Sequence, residues 1–191
     1  MRSYSAHTRG FTLIEMLVSV TIFSIVMVIA LGSLLAMSES DRKAQTLKSV
    51  INNLNFSLDS MSRTIRIGNS YHCDIAQGTA TAVRDCASIS ASSLAFRSSS
   101  GETVGYCLSG NAIRRAVTSG VLASSCADTS YSSITSPEVR INSLSFYVTG
   151  AETAGIQPKV IILISGVVTV TGTRSSTFNL QTSVTQRLYD Q

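Results

Sequence analysis

The apolar residues divide the chain into three stretches of different pattern. From Met16 to Ser38 no charged residue occurs. As a helix rising about 1.5 Å per residue, this run would span roughly 34 Å, which is enough to cross the apolar core of a bilayer. After Ser38 apolar residues return every three or four positions, and after Gly68 they occur in short alternating runs separated by glycines. The pattern therefore predicts a long helix followed by a strand-rich domain.

The second stretch predicts an amphipathic continuation of the same helix. Ser38-Glu39-Ser40-Asp41 could cap a separate helix, but no terminator precedes it, so one continuous helix is the simpler interpretation. Gly68-Asn69 is the expected end, as a left-handed helix stop. We expect the apolar stripe to pack on a sheet, with a free coiled coil as the alternative. The stripe consists of Leu47, Ile51, Leu54, Leu58, Met61 and Ile65.

The third stretch predicts six strands. In the fourth strand, Arg140 to Val148, the alternation leaves open whether Leu144 or Ser145 faces the core. In the last, alternate residues from Phe178 onward share one face. Short connections favour an antiparallel sheet packed on the amphipathic half of the helix, which gives an α+β fold. The predicted strands are Ser93 to Arg97, Val104 to Leu108, Ala112 to Val117, Arg140 to Val148, Lys159 to Thr171 and Phe178 to Leu188.

Composition and charge narrow the class of protein. The chain has 191 residues, of which 14% are charged, and a formal net charge of +4. This length fits one domain, and the low charge argues against a charge-rich disordered chain. No block of like charge occurs, so a nucleic-acid partner is not expected.

The residues before the apolar run favour a membrane anchor with a cytoplasmic N-terminus. Arg2 and Arg9 precede the run, and basic residues stay on the cytoplasmic side. A cleaved secretory signal has a shorter apolar core, whereas Ala30-Leu31-Gly32 lies inside this one. A plain anchor leaves Glu15 unexplained, because a carboxylate at the edge of an apolar helix costs free energy without a partner. A glutamate at the headgroup layer is the alternative interpretation of Glu15.

The ten residues Gly10-Phe11-Thr12-Leu13-Ile14-Glu15-Met16-Leu17-Val18-Ser19 resemble the processing signal of the type IV pilin and type II secretion pseudopilin superfamily. In that family a membrane-embedded prepilin peptidase cuts after the glycine and methylates the new amine. The resemblance implies cleavage between Gly10 and Phe11, N-methylation of Phe11 and an assembly role for Glu15. It further implies a removed leader (1–10), a transmembrane and assembly half-helix (11–38), an amphipathic half-helix (39–68) and an exported β-rich domain (69–191).

The implied chemistry of Glu15 is a charge pair with a terminal amine. The amine of Phe11 would lie four residues before Glu15 on the same helix face. In a packed filament Glu15 would instead meet the amine of a neighbouring subunit, where a buried pair specifies register more than it adds stability. Loss of Arg2 and Arg9 would lower the formal net charge from +4 to +2.

The second half is similar to the larger minor subunits of the superfamily, namely the type II secretion J component and the PilW-type minor pilin. The strings Ser143 to Val148, the strand from Lys159, and Phe178 to Arg187 carry this resemblance. It implies a non-enzymatic minor subunit at or near the tip of a type IV pilus or type II secretion pseudopilus. Inner-membrane lipid, prepilin peptidase and other minor and major pilin-like subunits would be its partners. A pilus-associated adhesin or DNA-binding minor subunit is the alternative.

Four cysteines follow the membrane segment, at Cys73, Cys86, Cys107 and Cys126. An even number in an exported domain predicts two disulfides, for which three connectivities exist. We favour Cys73–Cys86 and Cys107–Cys126, because each closes a local loop and would stabilise the fold by about 3 kcal/mol. A metal site at Cys73 and the adjoining His72 is the rival interpretation, but no C-x-x-C pair occurs.

Catalytic residues are hard to find. His72 could be drawn into a triad with Asp74, Asp85 and a serine, yet nothing singles out a nucleophile. Arg114-Arg115, with Arg97, could bind an anion, although an exposed strand face is the expected environment for the pair. We therefore expect no enzyme activity, no cofactor and no metal.

Overall fold

The computed structural model describes residues 10–77, 79–80, 82–170 and 174–187. Predictions about leader residues 1–9, including Arg2 and Arg9, and about Thr171 and Leu188 lie outside these residues. Chain contacts define two compact units, Met1–Gln45 and Thr46–Gln191. The elements are α1 (Leu13–Arg66), β1 (Asn69–Cys73), β2 (Ser93–Arg97), β3 (Thr103–Ser109), β4 (Ala112–Thr118), β5 (Ser132–Ser133), β6 (Val139–Thr149), β7 (Lys159–Val170) and β8 (Arg174–Thr185).

The first unit contains the apolar half of α1. Every large apolar side chain from Phe11 to Met37 is exposed. Ser19, Thr21 and Ser24 each donate a hydroxyl hydrogen bond to the carbonyl four residues earlier, at 2.7–2.8 Å. Within the described residues, α1 is also the one helix long and apolar enough to cross a bilayer. This half of the helix therefore satisfies its own polar groups and presents apolar side chains, as a membrane requires.

In the second unit α1 packs one face into the main core. Val50, Leu54, Ser57, Met61 and Ile65 are its buried residues. The predicted stripe is confirmed except at Ile51, which is 47% exposed and whose place in the core is taken by Val50. The core combines this face with side chains of both sheets, so the helix packs as predicted and the free coiled coil is excluded.

The strands form two antiparallel sheets where one was predicted. The orders are β1-β2-β3-β4-β5 and β6-β7-β8. The division arises because the segment after β1 occupies the outer edge of β6: Cys86 donates its N–H to Val148 O at 2.9 Å, and Ala91 pairs with Phe146. β6 is thereby bonded to a loop instead of a strand of the first sheet.

The strand predictions hold with shifted ends, and two strands are additional. Sequence pattern missed β1, which contains Ser70 at φ 54° and pairs irregularly with β2, and β5, which has two residues. A bulge between Ile141 and Ser143 resets the alternation of β6. As a result Leu144, not Ser145, joins the core.

The helix ends differently from the prediction. Gly68 does not adopt a positive φ, so the expected left-handed stop is wrong. The last carbonyls instead find partners elsewhere: the Tyr71 hydroxyl lies 2.6 Å from Ile65 O, and Arg187 donates its N–H to Arg66 O at 2.8 Å. Gly68 is needed for space, because a Cβ there would lie 2.4 Å from Phe96 Cδ2. Contacts from both sheets therefore end the helix.

A second, smaller core lies on the other face of the first sheet. It is covered by the segment after β4, which the Cys107–Cys126 disulfide ties back to β3. Gly105 leaves room for that segment, since a Cβ there would lie 2.7 Å from Leu122 Cδ2. The Tyr131 hydroxyl donates to Ala123 O at 3.0 Å. The buried members of this core are Ile75, Ala95, Cys107, Ala116, Leu122 and Tyr131.

We expect Gly68→Ala to destabilise the protein by about 1–3 kcal/mol, because the added methyl group collides with the buried Phe96 ring. Gly120→Ala is the matched control: its Cβ would come no closer than 3.6 Å to another atom, and its φ is not positive. Urea unfolding of the detergent-solubilised chain, followed by circular dichroism, measures both variants. Equal unfolding midpoints for the two variants would contradict the steric role of Gly68.

The second core also predicts a dependence on alkaline pH. Burial, with a smaller contribution from the Asp128 charge, raises the pKa of Tyr131 to about 12 from its ordinary value of 10.0. The folded state therefore favours the neutral phenol, so the free energy of unfolding is maintained below pH 10 and declines between pH 10 and 12. Burial raises the pKa of Tyr71 as well, which adds to the decline.

Tyr131→Phe should make this decline shallower, although it sacrifices the hydrogen bond to Ala123 at a cost of about 1 kcal/mol at every pH. Unfolding midpoints of wild type and variant at pH 8, 10 and 11.5 test the expectation. If the two proteins lose stability in parallel across that range, Tyr131 is not responsible.

Candidate processing and assembly site

Gly10 and Phe11 lie before the helix, and Thr12 is its N-cap. Thr12 O accepts hydrogen bonds from the N–H groups of Glu15 at 3.1 Å and Met16 at 3.2 Å. The Thr12 hydroxyl oxygen also lies 3.4 Å from Glu15 N, as a weaker acceptor. The helix therefore begins directly after the bond that the sequence predicts to be cleaved.

Glu15 occupies the third position of the first helical turn. The spacing Thr12-x-x-Glu15 is that of a capping box, a signal that the sequence reasoning did not use. A carboxylate here also faces the positive end of the helix dipole. Glu15 thus favours the helix start locally, in addition to any role between subunits.

Gly10 and Phe11 are accessible in the structure. The Phe11 side chain is 75% exposed, and a Cβ built on Gly10 would meet no atom within 4 Å. Packing against the described residues, from position 10 onward, therefore gives no reason for glycine at position 10. A requirement for glycine there would have to come from a protein that acts on this bond.

The helical pairing expected between Phe11 and Glu15 is absent from the unprocessed chain. Phe11 lies outside α1, which begins at Leu13. Before cleavage the two residues therefore do not share a helix face, and the pairing expected of the cleaved chain stays a prediction. Among the described residues, the Lys43–Glu39 and Arg63–Asp59 ion pairs do not involve the Glu15 carboxylate. The acid is left accessible to a cation from outside the described part of the chain.

Both disulfides join the cysteines that were expected to pair. Cys73–Cys86 has a Cα separation of 5.9 Å and Cys107–Cys126 one of 6.0 Å. The first disulfide holds the loop that bridges β1 and β6. Asp85 in that loop accepts hydrogen bonds from Gly150 N at 3.1 Å and Ala151 N at 2.8 Å. The loop is therefore tied to both sheets at the residues around Cys86.

His72 is a structural residue in this arrangement. It is buried, and its Nδ1 and Nε2 atoms each lie 2.7 Å from a backbone oxygen, those of Ala82 and Gln77. Neither nitrogen contacts a serine or a carboxylate. Cys73 is disulfide-bonded to Cys86, so it has no free thiolate to offer a metal ion. Within the described residues, no group of three or more His, Cys, Asp or Glu side chains is arranged to hold a metal ion.

Arg114 and Arg115 do not form one basic patch. Successive strand residues point to opposite faces, and Arg115 pairs across the sheet with Tyr106 whereas Arg114 pairs with Cys107. Both arginines are half-buried with a buried Nε, so the expected exposed strand face is wrong. Arg97, at the end of β2, is exposed. The geometry thus separates the three residues considered for anion binding.

Comparison with known proteins identifies one family model, the prokaryotic N-terminal methylation motif, which matches residues 5–31. No curated protein and no solved structure matches the chain. The matched segment contains Gly10, Phe11, Glu15 and the first part of the exposed apolar helix. The motif is that of a type IV pilin-like N-terminus, and together with the long apolar helix it fits a single-pass inner-membrane protein with an exported globular domain.

The Cys73–Cys86 disulfide predicts a local effect on proteolysis. Replacing both cysteines by alanine should lower the free energy of unfolding by about 3 kcal/mol and speed trypsin cleavage after Arg84, within the released loop. The matched control is the Cys107→Ala/Cys126→Ala double variant, in which the Arg84 loop stays tethered. Cleavage after Arg84 at the same rate in both double variants would contradict the role of the first disulfide. Peptide mass mapping measures these rates.

Proposed function

We propose that this chain is a minor pilin or pseudopilin, a non-enzymatic subunit that assembles with other pilin-like chains at or near the tip of a type IV pilus or type II secretion pseudopilus. The observation that carries the proposal is that an accessible Gly10–Phe11 bond directly precedes a helix whose first turn contains Glu15. The match to the N-terminal methylation motif includes both the bond and this first turn.

The proposed first step is removal of residues 1–10 by prepilin peptidase. Hydrolysis of the Gly10–Phe11 bond by water leaves a carboxylate on Gly10 and an amine on Phe11. The neutral amine then takes a methyl group from a sulfonium methyl donor, which leaves as a thioether while the nitrogen releases a proton. The new cation lies directly before Thr12, at the positive end of the helix dipole, where it is disfavoured. A carboxylate near it relieves that repulsion.

Glu15 of a neighbouring subunit is the proposed partner of this amine in the filament. In an apolar helix bundle an unpaired carboxylate is costly, so subunits whose amine meets an acid are favoured over other axial offsets. The pair therefore sets the register in which one subunit joins the next. Apolar side chains alone permit many offsets, because they have no directional preference.

The apolar half of α1 is suited to move between lipid and a protein bundle. Its backbone bonds are internal to the helix, and Ser19, Thr21 and Ser24 donate to its own carbonyls. Extraction from the bilayer therefore exposes no new hydrogen-bonding group. The apolar side chains exchange lipid contacts for contacts with other helices. We place the functional segments at 11–38 for membrane and assembly, 39–68 for the amphipathic half-helix and 69–191 for the exported domain.

The assignment to the larger minor subunits, of the type II secretion J or PilW type, rests on the strings carried by β6, β7 and β8. The eight-stranded domain closed by two disulfides supports a displayed, stable head domain. A DNA-binding or adhesive subunit is the second candidate. It loses support because Arg114 and Arg115 lie on opposite faces of β4, so they cannot form a single basic surface.

We expect Glu15→Gln to leave membrane insertion and cleavage intact but to reduce incorporation into filaments about tenfold or more, an effect of about 1.4 kcal/mol. Glutamine retains the capping-box pattern and lacks the charge, so a defect would report the charge pair and not the helix start. Ser19→Ala, which removes only a hydroxyl bonded to its own helix, is the matched control. Sheared filament fractions, quantified by immunoblot against membrane fractions, give the ratio.

Mass spectrometry of the same samples tests the processing step. The mature chain should begin at Phe11 with one added methyl group in wild type and in the Glu15→Gln variant. An intact residue 1–10 segment in the wild-type membrane protein would contradict the processing proposal. Wild-type incorporation of Glu15→Gln would contradict the charge-pair proposal alone.

A further inference from the structure

Three sheet edges in this structure are covered by the chain itself. The outer edge of β1 bonds to Arg84, the outer edge of β4 bonds to β5 and to Ile134, and the outer edge of β6 bonds to Cys86 and Ala91. The bonds at β1 are Cys73 N to Arg84 O at 3.1 Å and Arg84 N to Tyr71 O at 2.9 Å, and that at β4 is Ile134 N to Ile113 O at 2.9 Å. Covering an edge in this way prevents other strands from pairing with it.

The outer edge of β8 is different. β8 pairs with β7 along its whole length, from Arg174 to Thr185, without a bulge. Within the described residues, no backbone hydrogen bond from any segment other than β7 reaches β8. The nearest such bonds come just after it, at Gln186 and Arg187. Charges, prolines and bulges usually protect an open edge, and residues 175–185 contain none of the three.

An apolar groove runs beside this open edge. It encloses about 220 Å³ between β8 and the amphipathic part of α1. Ile51 projects into it from the helix and is 47% exposed, although the core stripe would have buried it. Phe178 and Leu180, half-buried, contribute the β8 side. A strand added to β8 would point every second side chain toward this groove.

An exposed lysine of α1, Lys48, neighbours Ile51 of the groove. Lys48 precedes Ile51 by three positions, so the two side chains are neighbours on the helix surface. Neither of the ion pairs within the described residues involves Lys48. A carboxylate on an incoming segment would therefore find a cation beside the apolar contacts. Asn55, also at the groove, adds a neutral polar group.

We propose that β8 accepts an extended segment of a different pilin-like subunit as an added strand, with alternate apolar side chains in the groove at Ile51 and an acidic side chain toward Lys48. This inference rests on the proposed function, because it takes the partner to be another subunit of the same filament. It adds a second contact to the one made by the N-terminal helix. The two contacts differ in kind, since strand addition supplies backbone hydrogen bonds with a defined register.

Photo-crosslinking of the full chain in cells that assemble the filament tests this inference. Benzoylphenylalanine is placed in turn at Thr177, Asn179 and Gln181, which are exposed residues of β8. Strand addition predicts adducts to one partner, another chain with the N-terminal methylation motif, at residues that step by two along its sequence. Adducts that step by three or four residues would indicate a docked helix and overturn the proposal. Adducts to a second copy of this chain would overturn it as well.

Matched substitutions separate the groove from the rest of the helix. Ile51→Glu should reduce the three crosslinks at least fivefold, and so should the surface change Lys48→Glu, which leaves the core untouched. Phe56→Glu, on a side chain that is 76% exposed and lies outside the groove, should leave them unchanged. Equal losses in the Phe56 and Ile51 variants would overturn the groove assignment.

Processing and incorporation of the labelled chain keep this test distinct from that of the proposed function. A chain that is cleaved, methylated and incorporated but gives no adduct from β8 would overturn the added strand and leave the subunit assignment standing. A wild-type chain that is neither cleaved nor incorporated would overturn the proposed function and, with it, the strand addition that rests on it.

Discussion

The interaction on which the rest of the structure depends is the burial of one face of α1 between Val50 and Ile65. That face enters a core to which both sheets contribute. Neither sheet covers its apolar side alone, because an apolar sheet face has to be buried against another element, and here both sheets share the core with α1. Ser57 shows how closely the helix is fitted, because its buried hydroxyl donates to Ile134 O at 2.7 Å across the core. The helix is thus the shared support of both sheets.

Before residue 38 the same helix is suited to a different environment, the apolar interior of a membrane. There its apolar side chains are exposed on every side, and the hydroxyls of Ser19, Thr21 and Ser24 bond to its own backbone. One element therefore carries two patterns, uniform where lipid is the neighbour and one-sided where a core is. This division explains why the positive mean hydropathy of the chain describes neither part well.

The sequence predicted the features that depend on local pattern. Helix periodicity, strand alternation and cysteine spacing are encoded by neighbouring residues, so α1, six strands and the two disulfides were accessible to reasoning. Features fixed by contacts between distant residues could not be predicted in this way. Gly68 is required because the Phe96 ring lies beside it, and the strands form two sheets because Cys86 and Ala91 pair with β6. Val50 replaces Ile51 in the core for the same kind of reason. At the candidate site the sequence located Gly10, Phe11 and Glu15. It did not identify Thr12 as the helix cap, because the capping spacing was not considered beside the cleavage signal.

Partner choice cannot reside in the N-terminal helix alone. Its exposed half offers apolar side chains, which pack against many helices with similar energy, and one acid, whose proposed pairing sets register without identifying the neighbour. Specificity requires directional groups and shapes that wrong partners fail to match. In the second unit such groups exist at β8, where an open backbone edge adjoins a groove lined by Ile51 and Phe178. Because a one-residue slip of an added strand turns its apolar side chains away from the groove, this edge discriminates between sequences in a way that the membrane helix does not.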